Sequence, residues 1–174
     1  ADGATYADTS TDAPSAALWS SDTLTITGTG SLKVTGSFND GISSKNGLIV
    51  TGATTITVDA ADDGLRGKDY LVVESGTLNV TAGGDGLKSS EDTEVDKGFV
   101  ALGGASITIS AGDDGVSATT DVTVAGTTLT ITAGGGTANA VAEEQGGPGQ
   151  QAAEDTSASP KGVNAAVSYT QDSG

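Results

Sequence analysis

FNDGISSK at 38–45 returns as ADDGLRGK at 61–68, GGDGLKSS at 83–90 and GDDGVSAT at 112–119, and GGGTANA at 134–140 continues the series around Gly135. Aligned on Asp40, Asp63, Asp85, Asp114 and Gly135, the phrases step by 23, 22, 29 and 21 residues. A step near 22 residues held over several turns predicts a solenoid, in which each repeat is one coil stacked on the last. The long step carries SSEDTEVDKG at 89–98, which reads as a loop inserted into an otherwise constant coil.

Outward from each phrase, short runs alternate apolar and Thr/Ser residues with the period of two expected of a strand. One run carries Leu24 and Ile26, then Leu48 and Val50, Leu71 and Val73, Val100 and Leu102, Val122 and Val124. A second carries Leu32 and Val34, Ile56 and Val58, Leu78 and Val80, Ile107 and Ile109, Leu129 and Ile131. A third is a single inward position two residues after each corner acid: Ile42, Leu65, Leu87 and Val116. Three inward ladders describe a triangular cross-section, so the predicted fold is all-β, a right-handed parallel β-helix of about 5 to 7 coils. An antiparallel sandwich has no reason to keep one Asp-Gly offset through four turns.

The ends extend the alignment. ALWSSDTLTI from Ala17 matches GISSKNGLIV from Gly41, placing Leu18 on the Ile42 ladder and Asp22 opposite Asn46. KGVNAAVSYT from Lys161 reads as another corner, with Val163 inward and Val167 and Tyr169 opening the next run. The expected organisation is an N-terminal segment or partial coil over 1–16, a β-helix core over 17–140, a flexible Gly/Pro/Gln/acidic loop over 141–160 and the start of a further coil over 161–174. Both ends read as cut from a longer solenoid, and open coil ends leave end-to-end self-association as one expectation.

Composition narrows the chemistry. Aromatic residues are 3% of the chain against 27 glycines, which suits a narrow core of Val, Ile, Leu and Ala better than a round one. With seven basic and 23 acidic residues the net charge is −16, so nucleic acid is not an expected partner and a cation is. The absence of cysteine and histidine removes disulfides, thiolate sites, the usual zinc ligand and the commonest general base. No run reaches the roughly 20 apolar residues of a membrane span.

Stacking places Asp40, Asp63, Asp85 and Asp114 in one column about 4.8 Å apart, with Asp62 and Asp113 beside it. Carboxylates so close must be protonated, paired with cations or bridged by a metal. Calcium, which takes six to eight oxygen ligands, suits such a corner. Glu91, Asp92, Glu94 and Asp96 lie on the insertion leaving the third of these corners, which could fold over a bound ion. The same pairs also serve as plain turns, with glycine at positive φ and Asp bonding local backbone. Arg66 and Lys88 each lie three residues after a corner acid, and Lys45 and Lys68 five after, so these four are expected to pair with the acids or bind a polyanion. Trp19, Tyr6 and Tyr70 could stack on sugar rings, though scattered aromatics more often cap an edge. Without histidine, nucleophilic triads and zinc hydrolysis fall away, and a uniform acid ladder does not reveal the specific carboxylate separation that glycoside hydrolysis needs, so the catalytic route that survives is a calcium-assisted β-elimination on uronic acids.

At these residues the chain resembles a bacterial carbohydrate-binding domain family of calcium-binding, pectate-lyase-like right-handed parallel β-helix proteins. The resemblance runs over about residues 17–140, through ITVDAADDGLRGKDYLVV and the acidic insertion after GGDGLKSS. It implies an extracellular or cell-surface protein with Ca2+ at Asp40, Asp62, Asp63, Asp85, Asp113 and Asp114, joined by Glu91, Asp92 and Asp96. It also implies an acidic, pectin-like polysaccharide as partner. The leading expectation is therefore calcium-dependent polysaccharide binding without enzymatic activity. A calcium-stiffened surface stalk or filament is the alternative, and a polysaccharide lyase the second.

Overall fold

The computed structural model describes residues 14–136 and 159–174, and these form a parallel β-helix of three sheets. Sheet A stacks β1 (Ala16–Ser20), β4 (Asp40–Ser44), β7 (Leu65–Gly67), β10 (Leu87–Ser89), β13 (Val116–Ala118) and β16 (Val163–Ala165). Sheet B stacks β2 (Leu24–Ile26), β5 (Gly47–Val50), β8 (Tyr70–Val73), β11 (Phe99–Gly103), β14 (Asp121–Ala125) and β17 (Ser168–Ser173). Sheet C stacks β3 (Ser31–Gly36), β6 (Thr55–Ala60), β9 (Gly76–Ala82), β12 (Ala105–Ala111) and β15 (Thr128–Ala133). Every neighbouring pair is parallel, and each coil visits A, B and C in turn.

The register follows the apolar ladders one to one. Leu24, Leu48, Leu71, Val100 and Val122 are successive partners in sheet B. Leu32, Ile56, Leu78, Ile107 and Leu129 are partners in sheet C. Leu18, Ile42, Leu65, Leu87, Val116 and Val163 are partners in sheet A, and Asn46 Nδ2 donates to Asp22 Oδ1 at 2.8 Å at the first coil. Leu48, Leu65, Leu71, Leu78 and Leu87 are fully buried, whereas Leu24 and Leu32 in the first coil are only half-buried. That gradient is what stacking predicts, because a coil's apolar residues are covered by the coils on either side.

Two expectations about the last coil are corrected by its register. The corner that follows Asp114 is Lys161-Gly162, not Gly135, since Lys161 N donates to Asp114 Oδ1 and Gly115 N to Lys161 O. Gly134, Gly135 and Gly136 instead form a turn with φ of 57°, 77° and 71°, which takes the chain off the sheet. Val167 does not open the sheet B run: its amide reaches Thr120 O, it is 71% exposed, and Tyr169 and Gln171 pair with Val122 and Val124. Most of the segment 141–160 and of 1–16, with Tyr6, lies outside the described residues.

Two of the three corners use glycine differently. Between sheets B and C, Gly28, Gly52, Gly76, Gly104 and Gly126 take positive φ, which glycine does without steric cost. At the Asp-Gly corner between sheets C and A, none of Gly41, Gly64, Gly86 and Gly115 has positive φ. Glycine is needed there for close approach: a Cβ on Gly64 would sit 2.6 Å from Gly86 O and against Val80 Cγ1, and one on Gly86 would sit 2.6 Å from Gly115 O. Backbone on one side and a core methyl on the other leave nothing free to yield. Gly64→Ala should therefore cost about 1–3 kcal/mol in urea unfolding despite its unremarkable backbone angles. An alanine tolerated without loss would contradict this packing.

Candidate metal centre and binding face

The acids of the column are buried: Asp40 is 1% exposed, Asp63 2%, Asp85 5% and Asp114 6%. Three of them are satisfied by the coil that follows. Asp85 N donates to Asp63 Oδ1 at 3.0 Å, Asp114 N to Asp85 Oδ1 at 3.0 Å, and Lys161 N to Asp114 Oδ1 at 2.7 Å. Side chains complete the set, with Lys88 Nζ 3.1 Å from Asp63 Oδ2 and 2.8 Å from Asp85 Oδ2, and Asn164 Nδ2 2.6 Å from Asp114 Oδ2. Burial works against the charge on Lys88, but its hydrogen bonds and attraction to Asp85 and Asp63 prevail and push it up to about 12.

Asp40 differs. Neither of its buried oxygens has a hydrogen-bond partner; Asp63 N lies near enough to favour the ionised form slightly, without hydrogen-bond geometry. Burial first, and then the Asp63 charge, push the Asp40 carboxyl up to about 7, against a smaller opposing pull from Arg66. A buried carboxylate with no partner is costly, and such a group calls for a cation. One oxygen each from Asp40, Asp62 and Asp63 lie within 4.8 Å of one another, with Asp62 exposed between its buried neighbours. Hard oxygen donors on two adjacent coils, open to solvent on one side, fit calcium, which would take its remaining ligands from water or a bound molecule.

The other expected ligands are not brought to this cluster. Asp113 is half-buried, and burial together with Asp85 and Asp114 raises its carboxyl. The insertion leaves from the far end of β10, at the corner between sheets A and B, whereas the acids stand where sheet C turns into sheet A. A three-residue strand thus separates Glu91, Asp92 and Asp96 from the corner. Lys68 Nζ binds Glu91 Oε2 at 2.8 Å, and this bond and those from Thr93 hold the Glu91 carboxyl down to about 2. Lys97 is likewise tied to Asp69 and Glu94, while Asp92 and Asp96 face solvent. Lys45 is exposed and makes no ion pair among the described residues. Tyr70 stacks on Phe99 over sheet B, with ring centroids 5.5 Å apart, so it is remote from the acid column.

The outer face of sheet A carries one residue per coil in single file: Trp19, Ser43, Arg66, Lys88, Ser117 and Asn164. From Ser43 on, each lies three residues after its corner position. That spacing could have revealed Ser43, Ser117 and Asn164 along with the two cations. Polar, cationic and aromatic side chains about 4.8 Å apart form a continuous strip beside an acid cluster that could hold a cation.

A family model described as carbohydrate-binding domain-containing protein matches residues 1–174. The chain belongs to that family. This carbohydrate-binding domain protein also resembles a solved structure described as the polysaccharide lyase-like protein from C. thermocellum, gadolinium derivative, with 28% identity and a TM-score of 0.72. The match covers 98% of the present chain and 58% of the other, so the carbohydrate-binding domain protein spans little more than half its relative's length. No curated protein matches it. Among the described residues no helix is long and apolar enough to cross a membrane.

Proposed function

We propose that this carbohydrate-binding domain protein binds an acidic, pectin-like polysaccharide outside the cell or at its surface. In this reading Asp40, Asp62 and Asp63 hold a calcium ion that bridges to uronate carboxylates of the glycan. The observation that carries it is the buried Asp40 carboxylate, which no hydrogen bond satisfies and which only a distant Arg66 faces at 3.9 Å, beside two further carboxylates at a corner open on one side. The family supports a polysaccharide as partner, and calcium reconciles an anionic protein with an anionic glycan. Arg66 stands on the strip beside the ion and would take a further glycan carboxylate, while the Lys88 ammonium is held by Asp63 and Asp85.

The likeness to a polysaccharide lyase-like protein raises a catalytic reading, in which Lys88 or Arg66 removes a proton next to a uronate carboxylate. A lysine pushed up to about 12 and clasped by two aspartates is a poor base at neutral pH, as is an arginine. Binding without cleavage is therefore the better reading. Calorimetric titration of polygalacturonate should show binding with calcium and none with excess chelator, and no rise in ultraviolet absorbance from unsaturated products. Absence of binding in both conditions would sink the glycan assignment and leave calcium, if bound, as a staple of a stalk-like solenoid.

A further inference from the structure

The side chain three residues past each corner acid can reach back to the acid of the preceding coil. Lys88 does so with an ammonium that touches Asp63 and Asp85, and Asn164 does so at Asp114. Arg66 stands in the same register, paired with Lys88 across β7 and β10, and behaves otherwise. Its Nε and Nη2 lie 3.3 and 3.2 Å from Ser90 Oγ, while Nη1 remains 3.9 Å from Asp40 Oδ2. Ser90 is the first residue past β10, anchored by its own amide to Lys68 O. Asp40 is accordingly the corner acid whose two oxygens accept no hydrogen bond, with only the long Arg66 contact beside them.

We infer that this column decides which cation each of these two corners takes: Lys88 builds an ammonium into the junction of the third and fourth coils, while Arg66, drawn aside to Ser90, leaves the junction below it for an exchangeable divalent ion. The chemistry of the two side chains supplies the reason. An ammonium is a compact point charge on a flexible stem and fits between two stacked carboxylates. A guanidinium is planar, fans its donors outward and can satisfy them at the rim. The inference rests on the proposed ion at Asp40, Asp62 and Asp63, and adds that the column admits a single ion because the chain supplies its own cation one coil further on.

The test is Arg66→Lys, with Arg66→Gln as its control and calcium alone as the probe. The lysine should occupy the lower junction as Lys88 occupies the upper one, weakening calcium binding by about ten-fold or more. In chelator the same variant should melt at least about 3 °C above wild type, since Asp40 gains a partner. Arg66→Gln removes the arginine without supplying an ammonium and should bind calcium at least as tightly as wild type. Calcium affinity in Arg66→Lys equal to that of Arg66→Gln, or no gain in metal-free stability, would overturn the inference. No calcium uptake by any of the three proteins, with the gain in melting temperature intact, would instead remove the calcium reading and leave residue 66 as the determinant of what the corner holds.

Discussion

In calcium-free buffer the protein should lose stability as the pH rises from 3.8 to about 7, the interval between the unfolded and folded pKa values of Asp40, and hold level above it. The folded chain keeps a proton on Asp40 that the unfolded chain releases, so across that window the folded state binds more protons and each step up in pH favours unfolding. A separation of about three units sets an upper bound of about 4 kcal/mol. Asp113 is raised as well and adds in the same direction. Asp40→Asn isolates the larger contribution, since an amide cannot ionise: its stability should be nearly level from pH 5 to pH 8. Calcium should act in the opposite sense, stabilising the wild type at pH 8, where the ionised carboxylate is its ligand, and far less at pH 5, where a proton competes. Urea unfolding at the two pH values, with calcium and with chelator, reads all four conditions. Equal pH dependence in wild type and Asp40→Asn would show that Asp40 is not the strained group.

Leu71→Ala should destabilise the fold by about 3–5 kcal/mol, the upper part of the range for buried leucines. Leu71 is fully buried, and its sheet partners Leu48 and Val100 hold the equivalent position in the coils on either side. Each wall of the core is a hydrogen-bonded sheet whose spacing is fixed, so the walls cannot collapse into the space left by three carbon atoms. The same change at Leu24, which is half-buried in the first coil, should cost clearly less, since part of that side chain is already in water. Denaturant unfolding of the two variants measures the difference. Equal losses at Leu24 and Leu71 would contradict a core built by stacking along one axis.

The ladders were legible because a parallel β-helix repeats one register. Once Asp40, Asp63, Asp85 and Asp114 are aligned, Leu48, Leu71 and Val100 must be neighbours, and the sheet confirms each step. The corner glycine was legible as a requirement but not in its reason, since a close approach of Gly64 to Gly86 O depends on the next coil and not on local turn chemistry. The fifth corner was misplaced at Gly135 because a glycine run imitates a corner, while Lys161 carries the opposite charge from the residues it follows in the column. Most elusive was the difference between Asp40 and the other acids. All four precede a glycine, and what separates them is the side chain three residues along in the next coil: arginine above Asp40, lysine above Asp63, serine above Asp85 and asparagine above Asp114. That an arginine would spend its donors on Ser90 follows only from where the insertion begins in three dimensions.

Calorimetric titration of calcium into metal-free wild type and Asp40→Asn at pH 8 separates this corner from every other place for the ion. The wild type should take up a single ion saturably and the variant should not, while remaining folded in chelator. Uptake with the same affinity and stoichiometry in both proteins would place the ion elsewhere and contradict the assignment of the Asp40, Asp62 and Asp63 corner.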